Sequence, residues 1–401
     1  MKPRWVTRGV VGIVLATFFS DVGHEMVTAV LPLYLVSVGL GPAALGLLEG
    51  AADLLFSLSK LAGGIVGHRL EKKKPLATVG YSLTTVASAA MALVTSAIAL
   101  GALRGVAWIG RGLRSPLRDF LLADEVGPTH FGRAYGIERS ADMLGAVAGP
   151  LVAVALVAAG APLRVVILVS IVPALVSVLA IALMTRDRSQ PAEASEARSE
   201  KAKRAPLPRR YWLFLGGVLL FGLGDFSRSF LILLAARAVA PGSEASHGAL
   251  SIPVLLYVLH NLVSAVAAYP VGRLGDRRSK LGILLGGYVL GVVTNATLAW
   301  SSDAIAWLVP AIVLSGIYVA IEETIEKAAC AEMLEREQRT LGLGILASAN
   351  AVGDMLSSIF VGVMLASGHT RLAFGLPAAC GALGVAWLVA FAPSIRPRAS
   401  G

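Results

Sequence analysis

Apolar stretches of spanning length follow one another along almost the whole chain, separated by short polar connections. They lie near residues 9–37, 43–67, 76–96, 98–122, 133–160 and 163–185, then near 211–239, 249–272, 281–301, 304–327, 339–367 and 372–392. Roughly 20 apolar residues in a helix cross a hydrocarbon layer. The pattern therefore predicts twelve transmembrane helices in an all-α polytopic membrane protein. Residues 186–210 break the rhythm: they are rich in Ser, Ala, Glu, Lys, Arg and Pro and bury too little apolar surface to fold alone. They are read as a linker between an N-terminal six-helix bundle, 1–185, and a C-terminal one, 211–401. The first apolar run continues past signal-peptide length and carries Pro32 and Tyr34 where a cleavage site would need small residues, so it is expected to remain as a helix.

The two sets of six repeat. Asp21 in Phe18-Phe19-Ser20-Asp21-Val22-Gly23-His24 stands where Asp225 does in Gly222-Leu223-Gly224-Asp225-Phe226-Ser227-Arg228. Gly64 to Arg69, after the second span, compares with Gly272 to Arg277 after the eighth, and Gly132 to Gly136 with Gln338 to Gly342. Three landmarks at a nearly constant offset of roughly 206 residues imply a duplicated unit.

Composition agrees. Of 401 residues 56% are hydrophobic and 15% charged, against about a quarter charged in soluble domains. A water-facing surface of this size cannot be built from so few charges. The net charge of +10 does not point to nucleic acid, because the basic residues sit between apolar spans. They gather in alternate loops: Lys2, Arg4 and Arg8; Arg69 with Lys72, Lys73 and Lys74; Arg133; the linker; Arg273, Arg277, Arg278 and Lys280; Arg396 and Arg398. The intervening loops hold almost none. The excess of cations on one side places both termini and the linker in the cytoplasm of a multi-pass cell-membrane protein. Cys330 and Cys380 lie in apolar stretches without a CxxC or Cys/His pattern, so neither disulfide nor metal is expected.

These features resemble the major facilitator superfamily of secondary transporters over the whole chain. The family's loop after the second helix of each half carries Gly, three residues, then Asp-Arg and a basic run; Gly272, Asp276, Arg277, Arg278 and Lys280 match it. In the first half Gly64, Arg69 and Lys72 to Lys74 match, while His68 stands where Asp is usual and Glu71 where Gly is usual. Gly145, Gly149 and Pro150 in the fifth span are similar to the Gly-x-x-x-Gly-Pro pattern of the family's exporters, which close helix packing would also explain. The resemblance implies two pseudo-symmetric six-helix bundles, a bacterial inner-membrane protein of the proton-coupled efflux type, no cofactor, and a central cavity between the halves.

Ionisable residues at membrane depth mark pathways or partners. Asp21 lies about 18 Å along the first span, near the midplane, with Glu25 one turn on and His24 beside them. This trio is the candidate proton-coupling site; the competing reading is that the two acids are locked to arginines. Arg111, Arg114 and Arg118 share a face of the fourth span. Arg111 is assigned to the cavity, with Asp142, Asp225, Arg228, Asn261, Asn350 and Asp354; Arg114 and Arg118 are assigned to the gate. Few aromatics stand on the cavity helices, which favours a polar or charged solute over a flat lipophilic cation. No HExxH, Gly-x-Ser-x-Gly or phosphate-binding loop indicates an enzyme or an ATP-driven pump. The expected function is secondary transport by a monomer of a small polar or charged organic solute, by proton-coupled efflux; the alternative is a proton symporter importing a charged nutrient or metal chelate.

Overall fold

The computed structural model describes residues 5–40, 42–188, 205–227, 230, 231, 234, 251–301 and 305–395. Within them the chain forms α1 (Arg8–Ser37), α2 (Pro42–Arg69), α3 (Lys74–Ala90), α4 (Ala97–Glu125), α5 (Phe131–Ala158), α6 (Leu163–Met184), α7 (Arg209–Gly222), α8 (Ser251–Gly275), α9 (Lys280–Ser301), α10 (Ile305–Met333), α11 (Arg339–Ala366) and α12 (Thr370–Ile395). Nine of these are long and apolar enough to cross a membrane among the described residues. The other three are α2, α4 with its buried arginines, and α7, described over 14 residues only.

The helices begin and end for local reasons. Thr7 caps α1 by accepting from the Val10 amide at 3.1 Å, and Ser96 caps α4 through the Ala99 amide at 3.2 Å. The first amides of α3 have no such side chain of their own; Asp187, beyond α6, accepts from Lys73 and Lys74 instead. The repeat-related α5 and α11 both stop at a left-handed glycine, Gly160 at φ 85° and Gly368 at φ 76°. α6 is interrupted at Ser170, whose hydroxyl donates to the Ile167 carbonyl at 2.7 Å.

One element departs from the sequence pattern. The seventh apolar stretch reads as a single span, yet α7 stops at Gly222, and residues 223–227 turn. Gly222 and Gly224 disfavour continued helix, and the freed Gly224 carbonyl accepts from Asn295 Nδ2 at 2.8 Å. Asp21 therefore sits inside a helix, while its counterpart Asp225 sits at a break.

Each half holds two apolar clusters with a polar layer between. In the first half, Val10, Ile13, Leu117, Phe120, Phe131 and Ile181 pack toward the linker side, and Met26, Leu31, Tyr34, Leu100 and Ile167 toward the far side. Tyr211, Phe214, Tyr288 and Ile325, and separately Leu308, Ile312, Val361 and Phe374, do the same in the second half. Leu33, Val86, Ile98, Leu183, Val266 and Trp300 point outward. Lipid tails are as apolar as these side chains, so close fit rather than water exclusion holds the helices together.

The halves meet along two related seams, α5 on α8 and α2 on α11. At the first, Gly132 and Gly272 approach so closely that a Cβ on either would strike the other's carbonyl. Further along, Ser140 donates to the Ala265 carbonyl at 2.7 Å. At the second, Gly64 lies against Gly344, and Ser348 donates to the Ser57 carbonyl at 3.3 Å.

Candidate transport cavity

Between the halves lies a cavity of about 310 Å³. α2 contributes Phe56 and Lys60; α4 contributes Trp108, Arg111, Arg114, Ser115, Arg118 and Asp119; α5 contributes Arg139, Asp142 and Met143. Across from them stand Glu323, Glu326 and Lys327 of α10, and Leu343, Leu346, Ala347, Asn350 and Asp354 of α11. The arginine face of α4 points into the cavity because positions three and four apart share one side of a helix.

Charges in the wall are organised in pairs. Arg111 Nη1 is 2.5 Å from Asp21 Oδ1 on α1. The Asp142 carboxylate of α5 lies in the field of the same guanidinium. Arg139 holds the other side of Asp142 at 2.7 Å and reaches Glu323 at 3.8 Å. Arg118 pairs with Glu138 at 2.8 Å and Asp119 at 3.0 Å, and Lys327 spans to Asp119 at 3.7 Å and Glu323 at 3.5 Å. Glu326 accepts from Tyr288 and, at 2.7 Å, from Asn350. Ions paired this way tolerate a water-poor interior that an isolated charge would not.

Gly145 and Gly149 explain how α1 comes so near. A Cβ at Gly145 would lie 2.7 Å from the Phe18 carbonyl and 2.9 Å from Asp21 Cβ; one at Gly149 would lie 2.7 Å from Glu25 Cβ. The Gly-x-x-x-Gly-Pro segment is thus the packing surface directly behind the α1 acids, with Pro150 inside α5. His24 is buried, edge-on to Trp108 at 5.0 Å, with no hydrogen-bond partner for Nδ1 among the described residues. Glu25 is half-buried beside Gly149 and within the field of Arg111.

The remaining sequence-predicted residues fall in several places. Asn350, Asp354, Arg111 and Asp142 line the cavity, and so do Arg114 and Arg118, expected at the gate. Asp225 is outside the lining, buried at the break after α7, where the Tyr318 hydroxyl donates to it at 2.7 Å. Asn261 is also outside, 3.3 Å from the His260 ring, which meets Ser315 at 3.1 Å. Arg228 lies outside the described residues, as do Lys2, Arg4, Arg396, Arg398 and most of the linker. Phe56, Lys60 and Arg139 join the wall without having been expected there, although Lys60 and Arg139 stand out in the sequence as ionisable residues within apolar spans.

Toward the linker side, polar and ionic contacts join the two halves. Asp276 accepts from the Gly132 amide at 2.7 Å and the Arg133 amide at 3.2 Å, and pairs with Arg133 Nε at 3.0 Å. It caps the start of α5 from the other half. Burial pushes the Asp276 carboxyl above its ordinary value, against the pull of those two amides and Arg133. At the related place in the first half, His68 Nδ1 is 2.9 Å from the Glu337 carbonyl, which can only accept, so the imidazole donates. Arg336 grips Asp124 with two bonds of 2.5 and 2.8 Å. The Asp124 carboxylate holds the Arg336 guanidinium above its usual range. Arg69 and Arg277 are exposed on this surface.

A family model described as Major Facilitator Superfamily matches residues 13–239 and 226–401. An uncharacterised MFS-type transporter of Methanocaldococcus jannaschii is 22% identical over 362 residues, 90% of this chain and 89% of that protein. A crystal structure of a human organic anion transporter superposes with a TM-score of 0.75 at 16% identity, covering 96% of this chain and 100% of that one. The fucose:proton symporter of E. coli does so with a TM-score of 0.72 at 13% identity, covering 94% and 97%. At these identities the solved structures establish the fold.

Proposed function

The chain belongs to the major facilitator superfamily, and we propose that it is a proton-coupled secondary transporter that exports a small polar or charged organic solute by alternating access. Two rigid halves, 1–185 and 211–401, rock about the cavity with 186–210 as a cytoplasmic linker, in a monomer in the cell membrane whose two termini are also cytoplasmic. The contacts between the halves on the linker side support reading the present conformation as one shut toward the cytoplasm.

The observation that supports this reading is a pair of arginine-held acids at the cavity, Asp21 with Arg111 at 2.5 Å and Asp142 with Arg139 at 2.7 Å. Protonating either carboxylate releases the arginine it holds, and Arg111 and Arg139 both border the cargo space. Proton binding and cargo binding are thereby linked through the same guanidiniums. His24, Glu25, Arg114, Arg118 and Glu138 also face these acids. Efflux is supported by the exporter-like Gly145-x-x-x-Gly149-Pro150 segment that seats α1 against α5.

Proteoliposomes loaded with a polar cell extract, given an imposed pH gradient and analysed by mass spectrometry, test the proposal while the cargo is still unidentified. At least one polar solute should leave in a gradient-dependent way, and Asp21→Asn and Asp142→Asn should each abolish the dependence, with Glu25→Gln weakening it. Gradient-driven movement that survives both aspartate substitutions would exclude the assigned proton site.

A further inference from the structure

The acids named in the wall of the cavity are engaged. Asp142 is held by Arg139, Asp119 by Arg118 and Lys327, Glu323 by Lys327, and Glu326 by Tyr288 and Asn350. The cations are not equally matched. Arg114, 4% exposed and facing the cavity, lies over the Tyr81 ring at 3.8 Å, and its Nη1 has no hydrogen-bond partner. No carboxylate pairs with it among the described residues. Lys60 rests 4.1 Å from the Phe56 ring centroid, with Glu323 and Asp354 at longer range.

A buried guanidinium keeps its charge and presents a rigid fork of donors. Left without an acceptor inside a half, it is satisfied by one brought in from outside. The aromatic faces point the same way. Phe56 already carries Lys60, and Trp108 carries Arg111 at 5.9 Å and Arg104 at 5.4 Å. A lipophilic cation would find those rings covered by like charge. Met143, Leu343 and Leu346 supply an apolar wall for the rest of a small ligand.

We propose that the cargo is an organic anion whose carboxylate or phosphate is received by Arg114, assisted by Lys60, with its apolar body against Met143 and Leu343. This names the substrate class of the cavity and rests on the reading of that cavity as the transport site.

The test is equilibrium binding to the purified full chain by calorimetry, with four probes sharing one ring: benzoate, phenyl phosphate, benzamide and benzylammonium. Benzoate or phenyl phosphate should bind saturably, whichever is tighter identifying the acid group, and the amide and the ammonium about tenfold more weakly or less. Arg114→Gln should lower the anion's affinity about tenfold or more, Arg114→Lys should restore part of it, and Lys60→Met should cost a smaller factor. Arg164→Gln, at an exposed position on α6, should change nothing. Equal or tighter binding of benzylammonium or benzamide overturns the proposal. So does the absence of saturable anion binding at millimolar concentration, or an unchanged affinity in an Arg114→Gln protein that melts like the wild type. Should Arg114→Gln not fold, Arg114→Lys and Lys60→Met decide alone. Binding needs no gradient, so anion binding without gradient-driven flux sinks the proton-coupled reading and leaves this one standing, and the reverse result does the opposite.

Discussion

The seams α5/α8 and α2/α11 are built to one plan and fastened differently. Both bring glycine to glycine, Gly132 to Gly272 and Gly64 to Gly344, and both add a serine hydroxyl reaching across to a carbonyl. At the first, an aspartate caps the start of the facing helix and pairs with Arg133; at the second, a histidine donates to a carbonyl just ahead of the facing helix. A helix start offers unpaired amides and partial positive charge, so it accepts an acid. A carbonyl offers a lone pair, so it needs a donor. The replacement of the family's usual Asp by His68 is therefore matched to what stands opposite it. It also leaves one seam held by charge-assisted bonds and the other by a weaker contact.

The largest effect should come from crowding the charged seam. Gly272→Val drives side-chain atoms into the Gly132 backbone and should reduce transport about tenfold or more, measured as flux in proteoliposomes. Gly64→Ala meets Gly344 Cα at 2.8 Å and the Thr340 carbonyl at 3.2 Å, and should cost less than Gly132→Ala under the same assay. Equal losses would mean that the seams are energetically alike. Next, Asp276→Ala strands two amides and Arg133, a cost of about 1–3 kcal/mol visible as a lowered melting temperature in detergent. His68→Asp, which restores the family pattern, should destabilise by about 1 kcal/mol, because it sets an acid against the Glu337 carbonyl; a stabilised variant would refute the matching argument.

The smallest effect is in pH. Since burial sets the Asp276 carboxyl above its unfolded value, the folded protein binds that proton more tightly. The resulting stabilisation is present at acid pH and lost as pH rises through the folded value. The gap in melting temperature between wild type and Asp276→Ala should therefore widen from neutral pH toward the ordinary aspartate range near about 4.

The all-helical membrane architecture and the family were legible because a hydrocarbon solvent imposes length and hydropathy on every helix. The arginine face of α4 and the depth of Asp21 followed from helical spacing. Depth, however, says nothing of rotation about the neighbouring helix. The α1 trio reads as a unit in sequence, yet Asp21 pairs with Arg111, while His24 turns to Trp108. Arg114 and Arg118 lie far enough along α4 to suggest a gate, but they line the cavity. Sequence symmetry also pairs Asp21 with Asp225, although Gly222 and Gly224 end the helix at one of them. Lys60 and Arg139 carry a visible signal, charge within an apolar run, that the denser cluster on α1 outweighs.

The glycine seams have a kinetic consequence. Where glycine meets glycine, as at Gly132 with Gly272 and Gly64 with Gly344, the proposed parting of the halves would need no side chain to withdraw at those points. Such a surface slides open and shuts again with little friction and little memory of its last position. The resistance to opening is then concentrated in a few ionic clasps at the rim, Asp276 with Arg133 and Arg336 with Asp124. In the proposed alternating-access cycle those clasps, rather than the glycine contacts, should set the pace.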